Sequence, residues 1–262
     1  MANKITGLAP AQKRFIDLFQ PLTYRHSAWQ VWSDFIEMTA VAIANRTDAR
    51  RRAVREDRYL SLIGKYDPGE QAVFPRLIGS IALALEENPE QDFLGDLFMR
   101  LELGSHWKGQ FFTPYSVCRV MAQMQVVDMP ARIAEKGFVS VNDPACGAGA
   151  TLIAFANESR SRGINFQQHV LFAGQDIDQT AGLMCYIQLS FLGCPGYVLI
   201  GDSLREPVTA AALTGPNVWY TPFYFTSTWH FRRTFAVLDA AIASMPAPRE
   251  RKGGEIEQLT LF

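Results

Sequence analysis

The sequence predicts an α/β protein in which a parallel sheet of βαβ units follows an all-helical region. Three observations carry this reading. Before residue 105 the apolar residues recur at helical spacing; from residue 138 short β-rich runs alternate with helical stretches; and a glycine-rich loop, residues 143 to 149, joins the first such run to a helix. The chain has 262 residues, 48% of them hydrophobic and 19% charged, enough to bury a substantial core in one or two domains.

In the first region Trp32, Phe35, Ile36, Ala40 and Ile43 share one helical face, as do Phe74, Leu77, Ile78, Ile81, Ala82 and Leu85. Asp67-Pro68-Gly69 and Asn88-Pro89 punctuate these helices as turns. A further helix is expected directly after Phe111-Phe112-Thr113-Pro114, with Val117, Val120, Met121 and Met124 as a core-packing stripe. Strands are expected at residues 138–141, 169–173, 197–200 and 217–221, and a last helix from Trp229 to Ser244. After residue 245 the run from Pro246 to Gly254 reads as a flexible linker. The expected divisions are a helical region over 1–104, a ligand-binding α/β domain over 105–245 and a tail over 246–262.

Composition narrows the function. The start of the chain leads into polar sequence, and no apolar stretch reaches the ~20 residues that a membrane helix needs, so a cytoplasmic location without membrane contact is expected. Cys118, Cys146, Cys185 and Cys194 form no C-x-x-C pair and have no histidine cluster, which predicts reduced, buried thiols and no metal. The net charge of -1 lacks the basic excess of a generic nucleic-acid binder. The densest positive run, Arg46, Arg50, Arg51, Arg52, Arg55 and Arg58, reads either as a local phosphate contact or as a solvated helix face laced with ion pairs.

The loop is the most informative segment. It reads Asp143-Pro144-Ala145-Cys146-Gly147-Ala148-Gly149, in which the glycines permit positive φ and close backbone approach, and the helix that follows presents unpaired N–H groups. It departs from G-x-G-x-x-G and from G-x-x-x-x-G-K-[ST], which argues against a nicotinamide cofactor and a P-loop nucleotide. An acidic residue at its start suits a cation better than a phosphate. Asp143, Asp176 and Asp202 each follow one of three successive strands, at the carboxyl ends where ligands of such sheets lie. S-adenosylmethionine, with a sulfonium, an amine and ribose hydroxyls, fits that chemistry.

Four elements occur in order: Phe112-Thr113-Pro114 with Phe111, the loop from Asp143 to Gly149, Gly174-Gln175-Asp176-Ile177-Asp178, and Gly201-Asp202-Ser203-Leu204. This series resembles the adenine-specific DNA methyltransferases, most of all the modification subunits of type I restriction systems, over roughly residues 105 to 205. The resemblance implies an S-adenosylmethionine-dependent, Rossmann-like methyltransferase fold. It assigns Phe112, Thr113 and Pro114 to the methionine end of the cofactor, and Asp143, Pro144, Ala145, Cys146, Gly147 and Gly149 to the loop around it. Asp176 falls to the ribose hydroxyls, with Ile177 beside it also in contact with the cofactor, and Asp202 and Ser203 fall to the adenine. It implies methyl transfer to the exocyclic amine of an extruded adenine in DNA, with a specificity or other partner subunit.

The likeness weakens at the catalytic motif. The family places [N/D/S]-P-P-[Y/F/W] after its fourth strand, where polar acceptors hold the amine and an aromatic ring stacks on the base. The best candidate here is Tyr220-Thr221-Pro222-Phe223. Phe223 can stack and the Thr221 carbonyl can accept, but Tyr220 replaces the amide acceptor; Asn217 lies three residues earlier. A family sheet has about seven strands, and this sequence reads as truncated after the fourth. The expected function is therefore a DNA adenine methyltransferase, and the alternative a catalytically degenerate module that binds S-adenosylmethionine or replication machinery. Methylation of RNA or of a protein glutamine stays open. Gln258, Leu259, Leu261 and Phe262 resemble the short peptide by which bacterial proteins bind the sliding clamp, with Gln258 as the polar anchor and Leu261 and Phe262 filling an apolar pocket.

Overall fold

Aromatic residues at helical spacing build the first half of the molecule. The computed structural model describes residues 7–103, 112–226 and 228–235. Its helices are α1 (Pro10–Phe19), α2 (Ala28–Thr47), α3 (Arg52–Ile63), the single turn α4 (Pro68–Gln71), α5 (Val73–Glu87), α6 (Phe93–Arg100), α7 (Tyr115–Gln125), α8 (Met129–Lys136), α9 (Ala150–Ser161), the single turn α10 (Phe166–His169) and α11 (Gln179–Phe191). The strands are β1 (Val139–Asp143), β2 (Val170–Asp176), β3 (Gly196–Ile200) and β4 (Val218–Tyr220). Polar side chains start the helices where the sequence allows: Ser27 accepts from Gln30 N–H before α2, and Asp67 and Glu70 form a reciprocal capping pair at α4.

Phe15, Phe19, Trp32, Phe35, Phe93 and Phe98 pack ring against ring, edge-on in most pairs, and are buried. This cluster is continuous with the apolar layer under the sheet, where α11 is buried on nearly every side between α2, α6, α9 and strands β2 and β3. The helical region and the sheet thus share one core. α7 corrects an expectation. Its Val117, Val120, Met121 and Met124 are exposed, because the helix packs on α9 through Cys118 and Ala122, whose small side chains allow close approach. All four cysteines are free and buried.

The sheet has the order β1-β2-β3-β4 among the described residues. β1, β2 and β3 are parallel, with Asp143 beside Gly174 and Asp176 beside Ile200, so the ends of all three strands reach one edge. β4 differs from the expected parallel strand. It runs antiparallel to β3, pairing Val218 with Leu199 and Tyr220 with Tyr197. Its last residue therefore lies at the edge where the other strands begin.

The arginine run is tied into the fold through this strand rather than forming a wholly solvated face. The Arg55 guanidinium, buried, lies 4.9 Å from the Trp219 ring centre and pairs with Asp48 at 3.4 Å. Arg50 bonds the same carboxylate at 3.1 Å and lies over Tyr220, and Arg51 donates to the Thr214 carbonyl at 2.6 Å. Arg58 forms a paired contact with Glu37 at 2.7 Å. Phe111, most of the expected last helix, the linker and the clamp-like peptide at Gln258, Leu259, Leu261 and Phe262 lie outside the described residues; the helix that starts at 228 is described to 235. Among the described residues no helix is long and apolar enough to cross a membrane.

Candidate cofactor site

The glycine loop turns at the carboxyl end of β1 because Asp143 and two glycines shape it. Asp143 accepts from Ala145 N–H at 3.1 Å and from the Thr151 hydroxyl in the first turn of α9. Gly147 and Gly149 have φ of +52° and +99°, a conformation strained for any other residue. A Cβ on Gly147 would come within 2.9 Å of the Phe112 ring, and one on Gly149 within 2.8 Å of Cys185 Sγ. Cys146 faces the core with its thiol, while its N–H donates to the Gln175 carbonyl and locks the loop to β2.

The second strand ends in Asp176, whose two oxygens are used differently. Oδ1 accepts from Asp178 N–H at 2.9 Å and Oδ2 from Gly147 N–H at 2.8 Å, so the carboxylate bridges β2 to the loop. Burial, with help from the charges of Asp178 and Asp143, pushes its carboxyl above the ordinary carboxylate range, against the pull of those two hydrogen bonds. A carboxylate has about four acceptor positions, so further hydroxyl donors can still be met. Gly201 N–H donates to the Asp176 carbonyl, which brings the turn after β3 alongside. There Asp202 accepts from Leu204 and Arg205 N–H groups and faces the Arg205 guanidinium at 3.6 Å. Ile177 and Leu204, each just beyond one of these acids, are 71% and 94% exposed. Apolar side chains so placed at neighbouring strand ends can flank a flat ring.

The Phe-x-Thr-Pro element closes the other side. Pro114 leads into α7, and Tyr115 receives a hydrogen bond at 3.0 Å from Asn157, whose amide also donates to the Pro89 carbonyl. Phe112 packs 5.3 Å from Phe98, its ring over Gly147. Two adjoining cavities of about 80 and 290 Å³ result; they share Asp92, Phe112 and Thr113, and the smaller one reaches Asp143 and Gly147.

The expected catalytic residues are not brought here. Tyr220 is buried, donates to the Leu213 carbonyl at 2.7 Å and stacks on Tyr224 at 4.5 Å. The Thr221 hydroxyl is fully buried, donating to the Cys194 carbonyl and accepting from Gly196 N–H. Pro222 and Phe223 begin a 3-10 turn that approaches Gly193, before β3. The antiparallel direction of β4 sets these four residues at the edge opposite the glycine loop.

Residues 94–236 match the family N-6 DNA methylase, more than half of the chain. The chain belongs to this family. Among solved structures it is similar to a Listeria monocytogenes protein described as a class I S-adenosylmethionine-dependent methyltransferase (TM-score 0.42, 17% identity, 76% of this chain and 55% of that one). It is also similar to the type I restriction-modification methyltransferase subunit of Streptococcus thermophilus (TM-score 0.41, 18% identity, 76% of this chain and 47% of that one). The chain thus spans about half the length of these proteins. Curated proteins compared by sequence give no match.

S-adenosylmethionine is the cofactor that membership implies, and the residues fit it. The cleft is acidic through Asp92 and Asp143, with Asp176 bonded to Gly147 of its lining, the cradle at Gly147 has no room for a side chain, and the loop carries no phosphate-binding pattern. Two contributors escape a reading of motifs. Asp92 and Gln188 are both buried, and Gln188 donates to Asp92 Oδ1 at 2.7 Å and to the Ala148 carbonyl at 2.8 Å, binding α6, the loop and α11 together. Asp92-Phe93-Leu94-Gly95 carries a helix-start signal, and nothing in the sequence marks its partner on α11.

Proposed function

We propose that this chain is the cofactor-binding part of an adenine-specific DNA methyltransferase, holding S-adenosylmethionine for transfer of a methyl group to the exocyclic amine of adenine. The carrying observation is the convergence of Phe112, Thr113, Asp143 and Gly147 on one acidic cleft, with Asp176 bonded to Gly147. In this reading Thr113 and the loop amides hold the methionine carboxylate, Asp176 holds the ribose hydroxyls, and Asp202, Ser203 and Ile177 hold the adenine. The cofactor, once bound, supplies an electrophilic methyl group; the protein's task is to fix it and exclude water. The groups that hold the target base come from outside the described residues, in a specificity or other partner subunit, since Tyr220-Thr221-Pro222-Phe223 face the other edge.

That same displacement favours a second reading, a regulatory module that binds S-adenosylmethionine without transferring its methyl group. Calorimetry with S-adenosylmethionine, followed by labelled methyl transfer to DNA, RNA and a glutamine peptide, separates the two. Binding with transfer to adenine supports the enzyme, and binding without any transfer, even with a partner subunit added, supports the module. Absence of binding by folded protein removes both. Gln258, Leu259, Leu261 and Phe262 are proposed to dock on a sliding clamp, which binding of the peptide 255–262 to purified clamp tests, with Leu261→Ala and Phe262→Ala as controls.

A further inference from the structure

Asp92 is an aspartate that helix capping does not fully explain. Its Oδ1 caps α6 by accepting from Gly95 N–H at 2.9 Å and also accepts from Gln188 at 2.7 Å. Both of these bonds go to Oδ1; Oδ2 has no hydrogen bond among the described residues and is not sealed from the cleft, although the residue as a whole is only 8% exposed. Glu90 and Asp96, which line the larger cavity with it, have their own arginines, Arg160 at 4.0 Å and Arg100 at 2.9 Å. Asp92 has no ion pair among the described residues, and the charge that acts on it is that of Asp96. Burial holds its carboxyl above the ordinary carboxylate range, so a cation brought beside it gains what the fold withholds.

The space around it is made for this carboxylate. A Cβ at position 95 would stand 2.1 Å from Asp92 Oδ2, so only glycine there leaves room. Asp92 also belongs to the lining of both cavities, next to Phe112, Thr113 and the loop at Gly147. A carboxylate that among the described residues has no cation and one unengaged oxygen, and that lines the cleft beside Phe112 and Thr113, is suited to accept a cationic donor.

We propose that Asp92 receives the α-ammonium group of S-adenosylmethionine, the ammonium donating to Oδ2 while Oδ1 stays bound to Gly95 and Gln188. The inference rests on the cofactor reading above. It makes Asp92 a selective residue for ligands that carry the amino acid end, whereas a mere helix cap would support every ligand of the cleft alike.

Three ligands test it by calorimetry: S-adenosylmethionine, S-adenosylhomocysteine and 5′-methylthioadenosine, which lacks the amino acid end. Asp92→Asn keeps an oxygen for Gly95 and Gln188 and replaces the unengaged one with a donor. It should weaken the first two ligands by about 10- to 100-fold, the scale of a charged hydrogen bond, and leave methylthioadenosine unchanged. Equal weakening of all three, or of none, overturns the proposal while leaving the cofactor reading intact. Should the variant not fold, the unaltered chain still decides, since it must bind S-adenosylhomocysteine more tightly than its deaminated analogue by a similar factor. Equal affinities for that pair overturn the proposal as well. Failure of the unaltered chain to bind any of these ligands removes the cofactor reading and the Asp92 assignment together.

Discussion

The two edges of the sheet hold similar chemistry in opposite states. At the starting edge of the parallel strands, Thr221 has its hydroxyl saturated by Cys194 and Gly196, and Tyr220 is bonded to Leu213, stacked on Tyr224 and covered by Arg50. At the finishing edge, Asp92 keeps an oxygen without a hydrogen-bond partner among the described residues, and half-buried Asp176 has acidic neighbours and accepts from the Asp178 and Gly147 backbone amides. Groups that have found all their partners within the chain stabilise it; groups held short of that are the ones with capacity for a ligand. A polar-aromatic motif is therefore evidence for chemistry only on an edge that leaves it unsatisfied.

The comparison can be broken most forcefully at the satisfied edge. Arg55→Ala removes the charge beside buried Asp48 and the cation over Trp219. It should cost about 2–3 kcal/mol of stability, below the ~3–5 kcal/mol of a buried charge left alone, because Arg50 remains. Urea unfolding measures this, and an unchanged midpoint would show that the tie is ornamental. Thr221→Val leaves Gly196 N–H without its hydroxyl acceptor. A loss of about 1–3 kcal/mol in stability is expected, with cofactor affinity untouched. If affinity falls instead, the two edges are not separate.

At the ligand edge the signs reverse. Asp176→Ala should weaken S-adenosylmethionine by about 1–3 kcal/mol, read by calorimetry. Acid should do the same gradually. Ribose hydroxyls donate best to the ionised carboxylate, and since burial raises the Asp176 pKa, affinity should begin to fall above the ordinary carboxylate range as pH drops. Its contribution to folding runs the other way: the protonated form suits the buried site, so that contribution is lost as pH rises through the folded pKa. An affinity that is flat down to the ordinary carboxylate range speaks against ionised Asp176 as a ligand. The smallest effect is expected from Phe223→Ala, which should leave cofactor affinity and any methyl transfer unchanged. A loss of either would return Phe223 to the catalytic role that the sheet topology denies it.

Much of this was legible in residue order. The glycine loop, the three strand-end acids and the Phe-x-Thr-Pro element are local patterns, and each strand was found within a few residues of its place. The direction of β4 was not, because alternation of side chains is the same in parallel and antiparallel strands. Nor was the orientation of α7, where small Cys118 and Ala122 win the buried face from larger Met121 and Met124. Asp92 escaped for a different reason: its meaning depends on Gln188, 96 residues away. The arginine run was visible as charge, but the aromatic rings and the carbonyl that employ it lie in the second half of the chain.

The tie between that run and β4 also bears on the order of events in folding. Arg51 meets Thr214 across 163 residues of chain, and Arg55 meets Trp219 across a similar span. Closing so long a loop costs entropy before any contact compensates it, so these contacts belong late on the path, after the parallel strands and their helices have assembled. Loosening them should therefore quicken unfolding far more than it slows refolding. The lifetime of the folded state should thus depend most on the edge opposite the glycine loop.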